Sequence, residues 1–474
     1  MLFEAFEEKG LSQLSYAVGC QQSMELAIVD PRRDIDIYLD FAEREGYVIR
    51  HVLDTHIHAD FASGARELAE ATGARLHLSA YDDDEIFEVG FDHEAMAEGD
   101  AVQLGNVRIE AMHTPGHTPE HISFLVYDGA RSADEPAVFL TGDFLFVGSL
   151  GRPDLLGEEA TRGLAKQAFH SVREKIKDLP DGLEIRPGHG AGSACGAGMA
   201  GRTVSTLGYE RVANPLLDPS LDEEGFIQLL VGNLPPAPDF YPRNKVTNSD
   251  GPKPVQAMVD LDPDAVEAFD VDDLKEQLAN GAVVIDVRDR LAFNAAHIQG
   301  SLGIEFGGDL STWAGWVAPA DKPLIIVDDD GFDEMISESI RCLVRAGQDK
   351  VVGYLEGGFD AWMKAGEPFA TIPLVDAATA KDDLEQGRRP MIDLRTQDEW
   401  DAGHAAGARH LPTQDAREAI EGIGKDDPVV LTCASGMRST VAASLLMRAG
   451  HTNVANLMGG MDAWKEAGLP VTAD

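Results

Sequence analysis

Gly459-Gly460-Met461-Asp462-Ala463-Trp464-Lys465-Glu466-Ala467-Gly468-Leu469-Pro470 is a second copy of Gly357-Gly358-Phe359-Asp360-Ala361-Trp362-Met363-Lys364-Ala365-Gly366-Glu367-Pro368. Upstream, Ile285-Asp286-Val287-Arg288 leads to His297, as Ile392-Asp393-Leu394-Arg395 leads to His404. Two matches in the same order make the C-terminal half a tandem repeat of one domain. In each copy a short apolar run, Val283 to Val287 or Met391 to Leu394, reads as a buried strand ahead of a helix. That is the patterning of an α/β domain with a parallel sheet. Between the matches the second copy carries Cys433-Ala434-Ser435-Gly436-Met437-Arg438, where the first has Asp328-Asp329-Asp330-Gly331-Phe332. One copy holds a nucleophile and its twin holds none.

The remaining length points the same way, since 474 residues suggest three domains at about 150 residues each. The formal net charge is −43, from 82 Asp and Glu against 39 Lys and Arg. The acid is spread along the whole chain, which suggests adaptation to high salt, where ions screen the self-repulsion. It argues against a nucleic-acid partner, which needs a basic face. No stretch approaches the roughly 20 apolar residues of a membrane span, and the N-terminus does not read as a signal peptide. Cys20, Cys195, Cys342 and Cys433 have scattered spacing with no CxxC pair. A reduced, cytoplasmic protein is expected.

In the N-terminal half, Val48 to Leu53 reads as a strand that ends at Asp54-Thr55-His56-Ile57-His58-Ala59-Asp60. His117 lies in Thr114-Pro115-Gly116-His117-Thr118, Asp143 in Thr141-Gly142-Asp143, and His189 in Pro187-Gly188-His189-Gly190. Each follows a strand-like run and sits in a turn rich in Gly or Pro. Strand-end loops of a sheet converge on one rim, where α/β proteins build their sites. A lone loop histidine is more often a hydrogen-bonding residue than a ligand, but four such segments in this order form a candidate metal centre. His113 and His121 are explained as well by their flanking residues. The polar stretch from Pro235 to Pro254 reads as the close of this domain and the start of a linker. The expected domains are 1–245, a linker 246–261, then 262–370 and 371–474.

These four segments resemble the metallo-β-lactamase superfamily, and Phe146 to Asp154, with Arg152-Pro153-Asp154, looks like its persulfide dioxygenase branch. The resemblance implies an αββα sandwich and a metal held by His56, His117 and Asp143. Two His and one carboxylate form the facial set of Fe(II) oxygenases, so one Fe(II) per chain is expected, with zinc as the alternative. Binuclear members carry a histidine directly after the Asp of HxHxD, and here that residue is Phe61. This favours a single metal and places His58, Asp60 and His189 in supporting or substrate-gating positions. Arg152 would either neutralise a substrate anion or pair with a carboxylate. Cys195 would be either a small buried residue or a thiol that relays sulfane sulfur.

The C-terminal repeats resemble rhodanese-type sulfurtransferases, through Asp393, Arg395, Glu399, His404 and the Gly-Gly-Met-Asp-Ala-Trp run. The fold implied is a pair of doubly wound α/β domains. Cys433 would carry sulfur as a persulfide. Its strand–loop–helix setting gathers backbone N–H groups, and Arg438 adds positive charge. Leu324 to Val327 aligns with Val429 to Thr432 and sets Asp328 opposite Cys433, so the first copy reads as inactive. Cys342 reads as core. The partners implied are a small thiol persulfide, O2, sulfite and thiosulfate; a homo-oligomer is left open. Two alternatives stand: a glyoxalase II-type thioester hydrolase, which needs two metals, and rhodanese domains that act only as partner-binding modules.

Overall fold

A computed structural model describes residues 1–82, 85–232, 234–412 and 423–473; residues 413–422 and 474, within the last expected domain, lie outside them. The chain forms two compact units, Met1–Gln256 with Val344–Gly347, and Ala257–Leu343 with Gln348–Asp474.

The first unit holds two six-stranded sheets. One runs in chain order through Leu2–Glu8, Gln13–Cys20, Glu25–Val29, Val48–Leu53, Arg75–Ser79 and Glu94–Met96. The other orders Ser205–Thr206, Glu184–Pro187, Val138–Gly142, Ile122–Asp128, Val107–His113 and Ala101–Leu104. The strand period of two sorts their side chains. In Ile122–Asp128, Phe124 and Val126 join Tyr16, Val18, Val29 and Leu53 between the sheets. Leu125 and Tyr127 point the other way, onto the helices Glu158–His170 and Glu223–Val231. Helices Asp36–Glu45 and Ala65–Thr72 cover the outer face of the first sheet. The result is the expected αββα sandwich, with each buried large apolar side chain worth about 1.5–3 kcal/mol.

Sheet register delivers the site. Val48–Leu53 lies parallel between Glu25–Val29 and Arg75–Ser79 and ends at the His56 turn. Val138–Gly142 and Glu184–Pro187 are parallel, with Gly142 opposite Pro187, so Asp143 and His189 leave the sheet side by side. Gly142 takes φ +50, and a Cβ there would stand 2.6 Å from His121 Nε2; only glycine fits.

The boundary between the two units, after Gln256, falls within the expected linker 246–261, and that stretch includes helical residues. Tyr241–Asp250 is a helix with Pro in its first turn, and Gln256–Val259 forms another. The first contains Asn244, Lys245 and Asn248, polar residues that read as loop yet are buried. Lys245 and Asn248 hydrogen-bond to the HxHxD turn, as described below, so the polar composition here belongs to a helix whose polar face points inward.

The second unit holds two five-stranded parallel sheets of one topology. Glu267–Phe269, Val351–Leu355, Leu324–Val327, Val283–Asp286 and Leu302–Gly303 make the first; Leu374–Val375, Val454–Leu457, Val429–Thr432, Met391–Asp393 and Arg409–His410 make the second. In the second copy Ile392, Val429 and Leu431 pack on helix Met437–Arg448, while Met391, Val430 and Leu457 pack toward Trp464 and Ala380. Helices therefore cover both faces, as in a doubly wound sheet.

The repeated motif has a physical reason. Gly358 and Gly460 adopt φ +57 and +60. A Cβ on Gly460 would collide with the Ala434 and Cys433 carbonyl oxygens, and one on Gly358 with the Asp329–Asp330 backbone. Each Trp closes its copy: Trp362 Nε1 donates to the Pro368 carbonyl at 2.9 Å and Trp464 Nε1 to that of Pro470 at 3.0 Å. The copies also interpenetrate. Phe293 of the first is buried among Ile392, Leu394, Leu431 and Ala442 of the second, and Asn294 Nδ2 donates to Thr440 Oγ1 at 2.9 Å.

Candidate functional site

Three buried atoms with no hydrogen-bond partner converge at the sandwich rim: His56 Nε2, His117 Nε2 and Asp143 Oδ2. Asp143 Oδ2 lies 3.5 Å from His117 Nε2 and 4.0 Å from His56 Nε2, and the three residues can place all their donor atoms within 4.8 Å of one another. Two metal–ligand bonds of about 2.1 Å put their donors about 3–3.5 Å apart. An orphaned buried polar atom costs about 1–3 kcal/mol, so three facing one point are a set built for a cation.

The surroundings fix which nitrogen faces that point. His117 Nδ1 donates to the Arg152 carbonyl at 2.8 Å. Thr55 Oγ1 donates to Asp30 Oδ2 at 3.1 Å and accepts from His56 Nδ1 at 2.9 Å. Both imidazoles thus carry the proton on Nδ1 and present the Nε2 lone pair. Burial first, then neighbouring histidines, push both pKa values well below the imidazole range and keep the rings neutral. Asp143 is held by two further groups: its N–H donates to His121 Nε2 at 3.0 Å, and its Oδ1 accepts from His189 Nδ1 at 2.7 Å.

His189 also donates through Nε2 to Asp60 Oδ2 at 2.6 Å. Against the pull of burial, the Asp143 and Asp60 carboxylates hold it well above the usual imidazole pKa. Asp60, His189 and Cys195 form a second donor cluster, but both His189 nitrogens are committed to carboxylates. Phe61 is 1% exposed and packs its ring 4.3 Å from that of His58. His58 turns away from the three orphaned atoms, with Nε2 3.2 Å from Asp30 Oδ1. Cys195 is buried, its Sγ 3.7 Å from Tyr241 Oη, and burial pushes the thiol well above its ordinary pKa.

Arg152 reaches the centre through its carbonyl. Its guanidinium grips Asp154 at 2.6 and 2.7 Å and the Ala194 and Pro235 carbonyls at 2.9 and 2.8 Å. Of the two readings of Arg152, the carboxylate pair is the one present. Helix Tyr241–Asp250 supplies what the sequence reading missed. Lys245 Nζ donates to the Ile57 carbonyl at 2.8 Å, and Asn248 Nδ2 to the His58 and Phe61 carbonyls, each at 2.8 Å. Glu120 accepts from the Ile57 N–H at 3.0 Å. Asp30, Thr55 and His121 were missed as well. A histidine seven residues from Thr114 gives no sign that it will receive the Asp143 N–H.

The cysteine loop lies in the second unit. Cys433 is 1% exposed; its Sγ accepts from the Gly436 N–H at 3.2 Å and from Ser439 Oγ at 3.6 Å. Arg438 grips Glu399 with two bonds of 2.7 Å. The guanidinium holds that carboxyl down at about 2. Asp328 occupies the equivalent place in the first copy. Its carbonyl accepts the Phe359 N–H at 2.8 Å, as that of Cys433 accepts the Met461 N–H at 2.8 Å. Asp328 takes the Gly331 and Phe332 N–H groups onto its own carboxylate at 2.7 and 2.9 Å. The twin's anion-facing donor is thereby consumed. Cys342 is buried, as expected.

Comparison with known proteins agrees with this architecture. Residues 10–189 match the Metallo-beta-lactamase superfamily model, and residues 270–365 and 376–467 each match the Rhodanese-like domain. The chain is 30% identical over 249 residues to "Persulfide dioxygenase ETHE1, mitochondrial" of Mus musculus, across 50% of this chain and 82% of that protein. It is 29% identical to "Hydroxyacylglutathione hydrolase GloC" of Haemophilus influenzae, across 40% of this chain and 87% of that one. The crystal structure of a metallo-beta-lactamase from Staphylococcus aureus subsp. aureus COL is 35% identical with a TM-score of 0.66, across 75% of this chain and 99% of its own. Sandwich, rim cluster and tandem repeats together place the chain in the persulfide dioxygenase family of the metallo-beta-lactamase superfamily, with two rhodanese-like domains in series.

Proposed function

We propose that the chain oxidises a low-molecular-weight persulfide with O2 to sulfite at one Fe(II), and moves sulfane sulfur through Cys433. The observation that carries the first half is the convergence of His56 Nε2, His117 Nε2 and Asp143 Oδ2, unpartnered and buried. The residues fit such an ion: two neutral nitrogens and one carboxylate leave open positions for two further ligands. When bound, the iron supplies the redox chemistry of O2 and a Lewis-acid seat for the persulfide sulfur.

The chain's own groups do the rest. Thr55 and the Arg152 carbonyl hold the two ring tautomers, His121 holds the Asp143 backbone N–H, and His189 holds the Asp143 carboxylate. Asp60 fixes the far nitrogen of His189. Phe146, whose ring lies 6.2 Å from that of His189, adds an apolar wall beside it. The net change is R–S–SH + O2 + H2O → R–SH + SO3²⁻ + 2 H⁺.

At the second centre the Cys433 thiolate attacks the outer sulfur of a persulfide or thiosulfate. The S–S bond breaks and its electron pair leaves on the thiolate or sulfite. Cys433 then carries Cys–S–S⁻ until a thiolate or sulfite takes the outer sulfur. The Gly436 N–H faces Cys433 Sγ, the sulfur that makes the attack. Phe61, where a nitrogen would help hold a second ion, weighs against thioester hydrolysis by two metals.

The test is anaerobic purification followed by oxygen uptake with persulfides of several thiols. Sulfite should form one for one with O2 consumed. Cys433→Ser should keep that uptake and lose thiosulfate-dependent sulfur transfer, because an alkoxide cannot carry sulfane sulfur. Hydrolysis of glutathione thioesters without oxygen uptake would reject the proposal.

A further inference from the structure

Arg438, the cation of Cys433's own loop, gives two hydrogen bonds to Glu399 and also interacts with Cys433. A second guanidinium stands beside the loop and comes from the other repeat. Arg290 begins the helix Arg290–Ala295 of the copy without a nucleophile. A Cβ on Gly436 would stand 3.8 Å from Arg290 Nε, and Gly436 is the residue whose N–H faces Cys433 Sγ.

The placement is built. Phe293, one turn along that helix, is buried in the second copy's core. Asn294 Nδ2 donates both to the Arg290 carbonyl at 2.7 Å and to Thr440 Oγ1 at 2.9 Å. Thr440 Oγ1 in turn donates to the Gly436 carbonyl at 2.8 Å. One chain of hydrogen bonds therefore ties the Arg290 backbone to the cysteine loop. The side chain is set by Glu305, which accepts from Nη1 at 2.7 Å. Among the described residues its guanidinium makes no other hydrogen bond, and the side chain keeps 31% of its surface exposed. Counting from Asp286 and Asp393, the position of Arg290 in the second copy is neutral Gln397. The cation therefore belongs to the copy that has lost its cysteine, and it is directed at its twin.

We infer that Arg290 completes the sulfur-transfer site, holding the oxyanion end of a sulfite- or thiosulfate-type ligand while its sulfur meets Cys433. The inference rests on Cys433 as the sulfur-transfer residue. It makes the degenerate copy an anion-positioning partner of the active one. Glu305, first, and the charge on Cys433 both favour the protonated guanidinium.

The experiment compares alkylation of Cys433 by iodoacetate, an anion, and by neutral iodoacetamide, in the full-length protein. Mass spectrometry of the Cys433 peptide separates it from the other cysteines. Arg290→Gln should lower the iodoacetate-to-iodoacetamide rate ratio about five- to ten-fold at modest salt, and Arg290→Lys should restore it. A ratio unchanged in Arg290→Gln, or one that Arg290→Lys fails to restore, overturns the inference. Should Arg290→Gln not fold, Glu305→Gln decides: freeing the guanidinium should raise the ratio, and no rise overturns it. Alkylation does not depend on sulfur transfer, so a protein that shows the charge effect yet transfers no sulfur fails the functional reading alone.

Discussion

Thr55→Val probes how the chain sets its metal ligands. Valine keeps the shape of threonine and deletes one hydroxyl. The Thr55 N–H still donates to Asp30 Oδ1 at 2.7 Å, so the backbone turn is retained. What goes is the pair of bonds at 2.9 and 3.1 Å that joins His56 Nδ1 to Asp30. Thr55 and His56 are 0% and 3% exposed, and no water replaces the lost partner cheaply. One buried imidazole N–H left unsatisfied costs about 1–3 kcal/mol. Freed from its acceptor, the ring loses the restraint that holds Nε2 toward Asp143, and such a loss weakens metal binding about 10- to 100-fold. At about 1.4 kcal/mol per factor of ten, the two figures describe one effect. Competition with a chromophoric chelator measures it directly, and Thr55→Ser should recover the wild-type constant. Equal affinity in Thr55→Val and wild type would refute the tautomer argument, as would a loss that serine does not repair.

Gly460→Ala should cost the second copy about 2 kcal/mol or more, from a side chain at positive φ against two carbonyls, with loss of sulfur transfer; a melting point within a degree of wild type contradicts this. The Arg438–Glu399 pair makes stability depend on acid. Glu399 titrates near 2 when folded against 4.5 unperturbed, so its contribution is complete above about pH 4.5 and disappears as pH falls toward 2. The melting-temperature gap between wild type and Glu399→Gln should close over that interval, and a gap independent of pH counts against the pair. With a net charge of −43, thermal stability should rise steeply as the Debye length shrinks from about 30 Å near 0.01 M to about 3 Å near 1 M salt. A flat melting temperature from dilute buffer to molar KCl refutes the reading of the acidic surface.

The parts of this molecule legible in its sequence are those where one residue type answers one backbone demand. Gly460 could be read because a loop carbonyl crosses a positive-φ turn and leaves no room for a Cβ. His56, His117 and Asp143 could be read because parallel strands end together and their turns carry ligand-type residues. The residues that orient them are invisible for the opposite reason. Thr55 reaches across 25 positions to Asp30 and Lys245 across 188 to Ile57, and any hydroxyl or ammonium has the same local signature. Helix Tyr241–Asp250 hid because its buried face is polar, which inverts the usual pattern. Phe293 looks like ordinary core of its own copy, and only the packing of two repeats shows that it fills the other. Arg152 offered two readings, and the structure pairs its guanidinium with Asp154, two residues away.

The central claim is that one cation is held between His56, His117 and Asp143. Elemental analysis of protein purified without air, beside the His117→Ala variant, tests it most directly. The account predicts one iron per chain in the wild type and none in a variant that remains folded by circular dichroism. Two metal ions per chain in the wild type, or iron retained in full by His117→Ala, would contradict it.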